Sequence, residues 1–266
     1  MTTLFTIPIE PIDAHPGGTI TLTTPSPKIY LLTISSPPDN RLTTPFCAAL
    51  LKALTTLQHT QPPGVLVTTS SLPKFFSNGL DLSHVTSNAP HFWTSALYPL
   101  FRKLLSYPMP TVALVNGHAF AAGLMLAMFH DYRVMNPARG FACLNEVDFG
   151  ALLKAPMSSV FREKLPPATY RSLVLEGRRF PAEQAREAGI VDAVGGLQEA
   201  LALVEERKLL GKAAGGVWGL LKVEMYRETW GFLSDEGFEV EEAREKGNMA
   251  REEEDGATEK KALAKL

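Results

Sequence analysis

The run Ala119–Phe129, AFAAGLMLAMF, is the longest apolar stretch of the chain and the segment that most limits how the rest can fold. Read as a helix it has no polar face, so protein must cover it on every side. Its 11 residues are too few to cross a bilayer, which takes about 20. It is predicted to be a buried core helix near Ala121–Phe129. Thr111–Val115, just before it, reads as a buried strand, and a glycine-bearing turn joins the two.

Strand and helix patterns alternate around this pair. Leu4–Ile9, Thr19–Thr23 and Ile29–Ile34 are short β-type runs, and Pro37-Pro38-Asp39-Asn40 is a turn. Thr44 is predicted to cap a helix with Pro45 at its first position, and Phe46, Leu50, Leu54 and Leu57 give that helix an apolar stripe. Val65–Thr69 is a buried strand, Pro90–Tyr107 a second helical stretch, and Tyr132–Met135 and the region around Phe141 are extended. From Pro156 the pattern is helical, and 217–266 is increasingly charged. An α/β fold with a helical C-terminal portion is expected, divided near residue 196. No repeat with a clear sequence period is visible.

With 266 residues, 45% of them hydrophobic, the chain can bury a full core. A net charge of −2 argues against general nucleic-acid binding. Cys47 and Cys143 lie far apart in apolar surroundings and are expected in the core, which fits a reducing compartment. The N-terminus lacks the features of a signal or transit peptide, and no membrane insertion is expected. The chain ends Ala264-Lys265-Leu266, which resembles the Ser-Lys-Leu peroxisomal address with Ala in place of Ser.

There is no G-x-S-x-G elbow, P-loop, G-x-G-x-x-G after a strand, H-E-x-x-H or C-x-x-C, and His130-Asp131 reads as chance adjacency at a helix end. Two segments remain. In Lys74-Phe75-Phe76-Ser77-Asn78-Gly79-Leu80-Asp81-Leu82 a strand runs into a small polar turn, and Asp81 is placed to cap the next helical turn. Such a turn can leave the Leu80 N–H pointing into a cavity, although for this segment alone an ordinary turn with a capping Asp is the better explanation. In Val115-Asn116-Gly117-His118-Ala119-Phe120-Ala121-Ala122-Gly123 small residues sit where a helix begins. The first N–H groups of a helix lack intrahelical partners, and small side chains let a ligand oxygen approach them. Tight helix–strand packing is the plainer alternative.

Together the two segments resemble the crotonase superfamily, the enoyl-CoA hydratases and isomerases. Its members carry K-x-F-x-x-G-x-D-[LI] and then A-x-V-N-G-x-A-x-G-G-G; here these read KFFSNGLDL and ALVNGHAFAAG. The resemblance covers roughly residues 28–195, with Ala121 and Ala122 replacing the first two glycines of the triplet. It implies a ββα spiral core over residues 1–195 that binds an acyl-CoA thioester. Residues 196–266 would form a helical region serving assembly into a homotrimer or hexamer. It also implies that the Leu80 and Ala122 amides hold the thioester oxygen, with Ser77, Asn78, Gly79, Asp81, Ala121, Gly123 and Met125 around the substrate. Removing one such donor typically costs about 3–4 kcal/mol of transition-state stabilisation.

Side chains must select the reaction. The first hydratase glutamate of the family falls on Met125, which cannot activate water. Glu146, in Leu144-Asn145-Glu146-Val147-Asp148-Phe149-Gly150, matches the second acid position, P-E-x-x-x-G or N-E-x-x-x-G. Among apolar neighbours its carboxyl is expected to be desolvated and its pKa raised. The Asp of the family's dienoyl-CoA isomerases falls on Lys154. The resemblance therefore points to a Δ3,Δ2-enoyl-CoA isomerase that uses Glu146 as its acid and base, needs no cofactor or metal, and serves peroxisomal fatty-acid β-oxidation. The import receptor would be a partner through Ala264, Lys265 and Leu266. An acyl-CoA hydrolase on the same fold and a non-catalytic CoA-binding subunit are the alternatives. Phe92, Trp93, Leu97, Phe101 and Met125 are candidates to house the acyl chain, and at helical spacing they are equally candidates for plain core.

Overall fold

The computed structural model describes residues 2–263, with the backbone alone at 249, 252–254 and 256–263. Ala264, Lys265 and Leu266 lie outside the described residues. The chain opens with β1 (Thr2–Ile9), β2 (Gly18–Ser26) and β3 (Ile29–Ser35), paired antiparallel in that order. After α1 (Thr44–Thr60), β4 (Val65–Ser70) returns parallel to β3. There follow β5 (Phe75–Ser77), α2 (Leu82–Asn88), a π-helical turn at Trp93–Leu97 and α3 (Tyr98–Leu105). Next come β6 (Thr111–Val115), β7 (His118–Phe120), α4 (Ala122–Met128), β8 (Tyr132–Met135), β9 (Ala142–Cys143) and α5 (Glu146–Phe149).

The strands sort into two sheets. One has seven strands in the order β1-β2-β3-β4-β6-β8-β10, where β10 is Ala193–Val194; the other holds β5-β7-β9, all parallel. β4, β6 and β8 each enter the large sheet, each is followed by a short strand of the small sheet, and each such pair is followed by a helix. The chain thus winds through three ββα turns of a spiral. Every residue of β4 and of β6 is buried, as expected of parallel strands covered on both faces.

The helix predicted at 121–129 is α4, and all seven of its residues are buried. Cys47 and Cys143 are both buried and free. One local expectation is corrected. Thr43, not Thr44, occupies the cap position of α1, and Pro45 follows one residue inside; the Thr44 hydroxyl instead bonds His84 Nε2 at 2.9 Å. The stretch expected to be helical at 90–107 is helical from 91 to 105, with a π-helical turn at Trp93–Leu97 before α3. Asp81 caps the helical turn that follows it, the first of α2, accepting from the His84 N–H at 2.8 Å.

The C-terminal part continues with α6 (Ala155–Lys164), α7 (Pro167–Glu176), α8 (Ala182–Glu187), α9 (Leu197–Glu206), α10 (Leu209–Ala213), α11 (Trp218–Met225), α12 (Arg227–Phe232) and α13 (Asp235–Leu263). Ala200, Leu203 and Val204 of α9 cover one face of the large sheet, against Val65, Val67 and Val112. The other face packs on α1, α3 and α4 in the main core. No helix among the described residues is long and apolar enough to cross a membrane.

One buried ion pair ties α11 to this core. Lys222 Nζ stands 2.8 Å from Asp131 Oδ1 and donates to the Leu104 carbonyl at 3.0 Å. Asp131 Oδ2 accepts from the Thr111 N–H and from Trp218 Nε1, both at 2.9 Å. His130 beside it is wholly buried between the Leu126 carbonyl and the Thr68 hydroxyl, and burial pushes its pKa down to about 4. The His130-Asp131 pair is therefore structural. Removing one partner of a buried pair strands the other charge, at about 3–5 kcal/mol. Lys222→Met is accordingly expected to lower the unfolding free energy by roughly 3 kcal/mol in urea titrations at neutral pH.

Candidate active site

Because β5, β7 and β9 are parallel, the segments that follow them all leave the small sheet at one edge. Asn78 and Leu80 follow β5, Ala121 and Ala122 follow β7, and Asn145 and Glu146 follow β9. These six residues line one cavity of about 280 Å³. Sites at the carboxyl ends of parallel strands arise this way, since loops of different origin converge there. The remaining wall is mainly apolar, with Val85, Trp93, Met125 and Met157 inside and Leu82, Phe149 and Leu152 at a solvent-exposed rim.

Two peptide planes facing the cavity are fixed by their carbonyl groups. The Gly79 carbonyl accepts from the Leu42 N–H at 2.9 Å, and the Ala121 carbonyl accepts from the Leu124 and Met125 N–H groups at 2.9 and 3.1 Å. In a trans peptide the N–H points opposite the carbonyl, so the Leu80 and Ala122 N–H groups are held away from those anchors. Ala122 is the first residue of α4 and has no intrahelical acceptor. Among the described residues neither N–H is paired with an acceptor. The two segments touch: a Cβ on Gly79 would lie 3.1 Å from the Ala122 nitrogen.

Glu146 opens α5 and is only 8% exposed. Its Oε2 is enclosed without a hydrogen-bond partner, as is Oδ1 of Asn145. Burial pushes the Glu146 carboxyl up to about 7, a shift that a backbone hydrogen bond opposes only in part. A carboxylate in this condition is a base at neutral pH and an acid once it holds a proton. Among the described residues it is the one carboxyl lining the cavity, and no group of acidic, His or Cys side chains there is placed to hold a metal ion.

A family model described as enoyl-CoA hydratase/isomerase matches residues 25–213. The chain belongs to the enoyl-CoA hydratase/isomerase family. It is 32% identical over 219 residues to a protein named peroxisomal enoyl-CoA delta isomerase 2 of Arabidopsis thaliana, covering 77% of this chain and 91% of the relative. It is 34% identical over 211 residues to peroxisomal enoyl-CoA delta isomerase 1 of the same plant, covering 76% and 87%. A solved enoyl-CoA hydratase of Mycobacterium ulcerans superposes with a TM-score of 0.70 at 27% identity, covering 84% of this chain and 98% of that one. The human mitochondrial delta3-delta2-enoyl-CoA isomerase has the same fold, with a TM-score of 0.68 at 21% identity and coverage of 88% and 98%. The architecture is thus the crotonase spiral.

Within this family site the expected residues divide into two groups. Asn78, Leu80, Ala121, Ala122, Met125 and Glu146 line the cavity. Ser77, Gly79, Asp81 and Gly123 do not, because each is taken up in holding the segments together. The Ser77 hydroxyl donates to the Asn40 carbonyl at 2.7 Å and accepts from the Gly79 N–H. Gly79, at φ +82°, packs against the Phe120 carbonyl. Asp81 caps α2 and holds His15 at 2.8 Å. A Cβ on Gly123 would collide with the Ser77 carbonyl. Of the proposed acyl-chain residues only Trp93 and Met125 reach the cavity; Phe92, Leu97 and Phe101 are core. Asp148 is exposed near Gly177, outside the cavity.

Arg41 and Asn145 were not foreseen as cavity residues. Arg41 donates to the Leu80 carbonyl at 2.8 Å and to Asp39 at 3.0 Å. Asn145 stands in the N-E-x-x-x-G pattern itself, which was its signal.

The two alanines of the departing triplet differ in cost. Ala122 is in ordinary helix, whereas Ala121 sits at φ +51°, ψ −126°, a conformation that suits glycine. Such a residue stores about 1–3 kcal/mol. Ala121→Gly is expected to raise stability by about 1 kcal/mol after the entropy of the unfolded glycine is subtracted, as a higher urea midpoint with an unchanged slope.

Proposed function

We propose that the protein is a Δ3,Δ2-enoyl-CoA isomerase, which moves the double bond of a 3-enoyl-CoA to give the trans-2-enoyl-CoA. The observation that carries this is the pairing of one desolvated carboxyl, Glu146, with Met125 on the same cavity wall, where a hydratase of the family has its other acid. The thioester oxygen would lie on the Leu80 and Ala122 N–H groups. Glu146 takes a proton from C2, and the electrons of that C–H bond delocalise onto the oxygen as a dienolate. The carboxylic acid then returns the proton to C4 as the double bond settles between C2 and C3. One group serves both steps because its pKa lies near neutrality, so that it is available as base and, once protonated, as acid. The two amides supply oriented charge stabilisation in a mostly apolar cavity, where such donors are strongest.

Place and assembly follow as part of the same proposal. The Arabidopsis relatives are named peroxisomal, and the chain ends in Ala264-Lys265-Leu266, which an import receptor would read. The protein would work there in β-oxidation of unsaturated chains, as a homotrimer or hexamer and without a cofactor.

The test is the appearance of conjugated-enoyl absorbance from a 3-enoyl-CoA. Glu146→Gln is expected to lower kcat by about a thousandfold or more with little change in substrate affinity. Wild-type kcat/KM is expected to fall about tenfold per pH unit below 7, as the base becomes protonated. The same group leaves a mark on stability. Its pKa rises from 4.5 unfolded to about 7 folded, so the native state favours the proton, and that contribution is lost as pH rises through 7. Glu146→Gln should therefore be more stable than wild type by up to about 3 kcal/mol at pH 8, the difference vanishing below pH 4.5. Full activity in Glu146→Gln, or free CoA without conjugation, contradicts the proposal.

A further inference from the structure

We propose that Trp93, backed by Phe92 and Tyr98 and held at its side by Lys154, ends the acyl pocket and restricts the substrate to chains of medium length. This rests on the cavity being the acyl-CoA site.

Trp93 opens the π-helical turn, whose wide hydrogen bond runs from the Tyr98 N–H to the Trp93 carbonyl. One extra residue in the turn brings Trp93 and Tyr98 together, with ring centroids 6.2 Å apart. Phe92 meets the indole edge-on at 5.4 Å. Both neighbours are buried, so the indole has solid protein behind it and the cavity in front.

Lys154 closes the assembly from the side. Its Nζ lies 5.4 Å from the centre of the Trp93 ring and 5.7 Å from that of Phe238 on α13. It is gripped by Glu242 at 2.7 Å and Glu245 at 3.1 Å. Phe238, Glu242 and Glu245 fall on one face of α13, spaced as successive turns require. Phe238 also meets Tyr98 edge-on at 5.9 Å. Trp93 is thus bracketed by Phe92, Tyr98 and the Lys154 cation, and the last two are tied to α13 through Phe238, Glu242 and Glu245.

The cavity size sets the scale. A cavity of about 150 Å³ lined by aliphatic and aromatic side chains holds one benzene. The 280 Å³ here accommodates roughly ten carbon-sized atoms on that scale, including the reacting carbons. Each buried methylene raises affinity about fourfold, and one left outside adds much less.

The experiment measures the affinity of saturated acyl-CoAs, from butanoyl- to hexadecanoyl-CoA, by calorimetry. These ligands need no isomerase activity. Wild-type affinity is expected to climb about fourfold per methylene and level off near decanoyl-CoA. In Trp93→Ala the ratio of hexadecanoyl- to butanoyl-CoA affinity is expected to rise at least about tenfold, with Trp93→Phe between the two. Lys154→Met, which removes a support of Trp93 without itself lining the cavity, should move the same ratio by about threefold. Wild-type affinity that climbs evenly to hexadecanoyl-CoA overturns the proposal. So does a Trp93→Ala ratio equal to that of wild type. Binding that levels off as described, in a protein that yields no conjugated product, supports the pocket limit and sinks only the isomerase reading.

Discussion

The hydrogen bond from the Leu42 N–H to the Gly79 carbonyl fixes one peptide plane, and the first turn of α4 fixes another through the Ala121 carbonyl. In the proposed function, the hold on an acyl oxygen would depend on those two planes. Leu42 and Gly79, which set the first plane, lie outside the cavity lining, whereas Ala121 and Met125, which help to set the second, are part of it. Gly123 lets α4 lie on the Ser77 carbonyl, Gly79 lets the β5 turn lie on Phe120, and the parallel small sheet delivers both turns to one edge. Ala121 bears the cost, in a backbone conformation that glycine would adopt freely.

Glu146 is the second cost. A buried carboxyl without a partner destabilises the native state at neutral pH. The spiral around it carries this burden with fully buried strands and with ion pairs such as Asp131–Lys222, set well away from the cavity lining. Strain and desolvation fall on Ala121 and Glu146, which face the cavity, while the surrounding core is conventionally packed.

Much of the fold could be read from residues. Thr111–Val115, the apolar helix after it and Val65–Thr69 announce themselves by continuous burial, and the paired glycine motifs name the family. The spiral was not legible as a repeat. β4, β6 and β8 begin at residues 65, 111 and 132, so an inserted helical segment hides the period. The stretch 90–107 was read as helical, which it is from 91 to 105, but its apolar spacing persists across a π-helical turn that has no signature of its own. Leu80, Ala122 and Glu146 were legible as cavity residues because the motifs mark the turns that reach the cavity. Ser77, Asp81 and Gly123 were assigned to the substrate because a motif does not separate residues that touch a ligand from those that hold the touching residues in place.

The hydrogen itself gives the most direct measurement. A 3-enoyl-CoA carrying two deuterium atoms at C2 is converted by the protein, and the product is examined by NMR. Transfer by one enclosed carboxyl predicts that part of the deuterium lost from C2 reappears at C4. A product whose new C4 hydrogen comes wholly from water, or a 3-hydroxyacyl-CoA in its place, would contradict a site built on Glu146 alone.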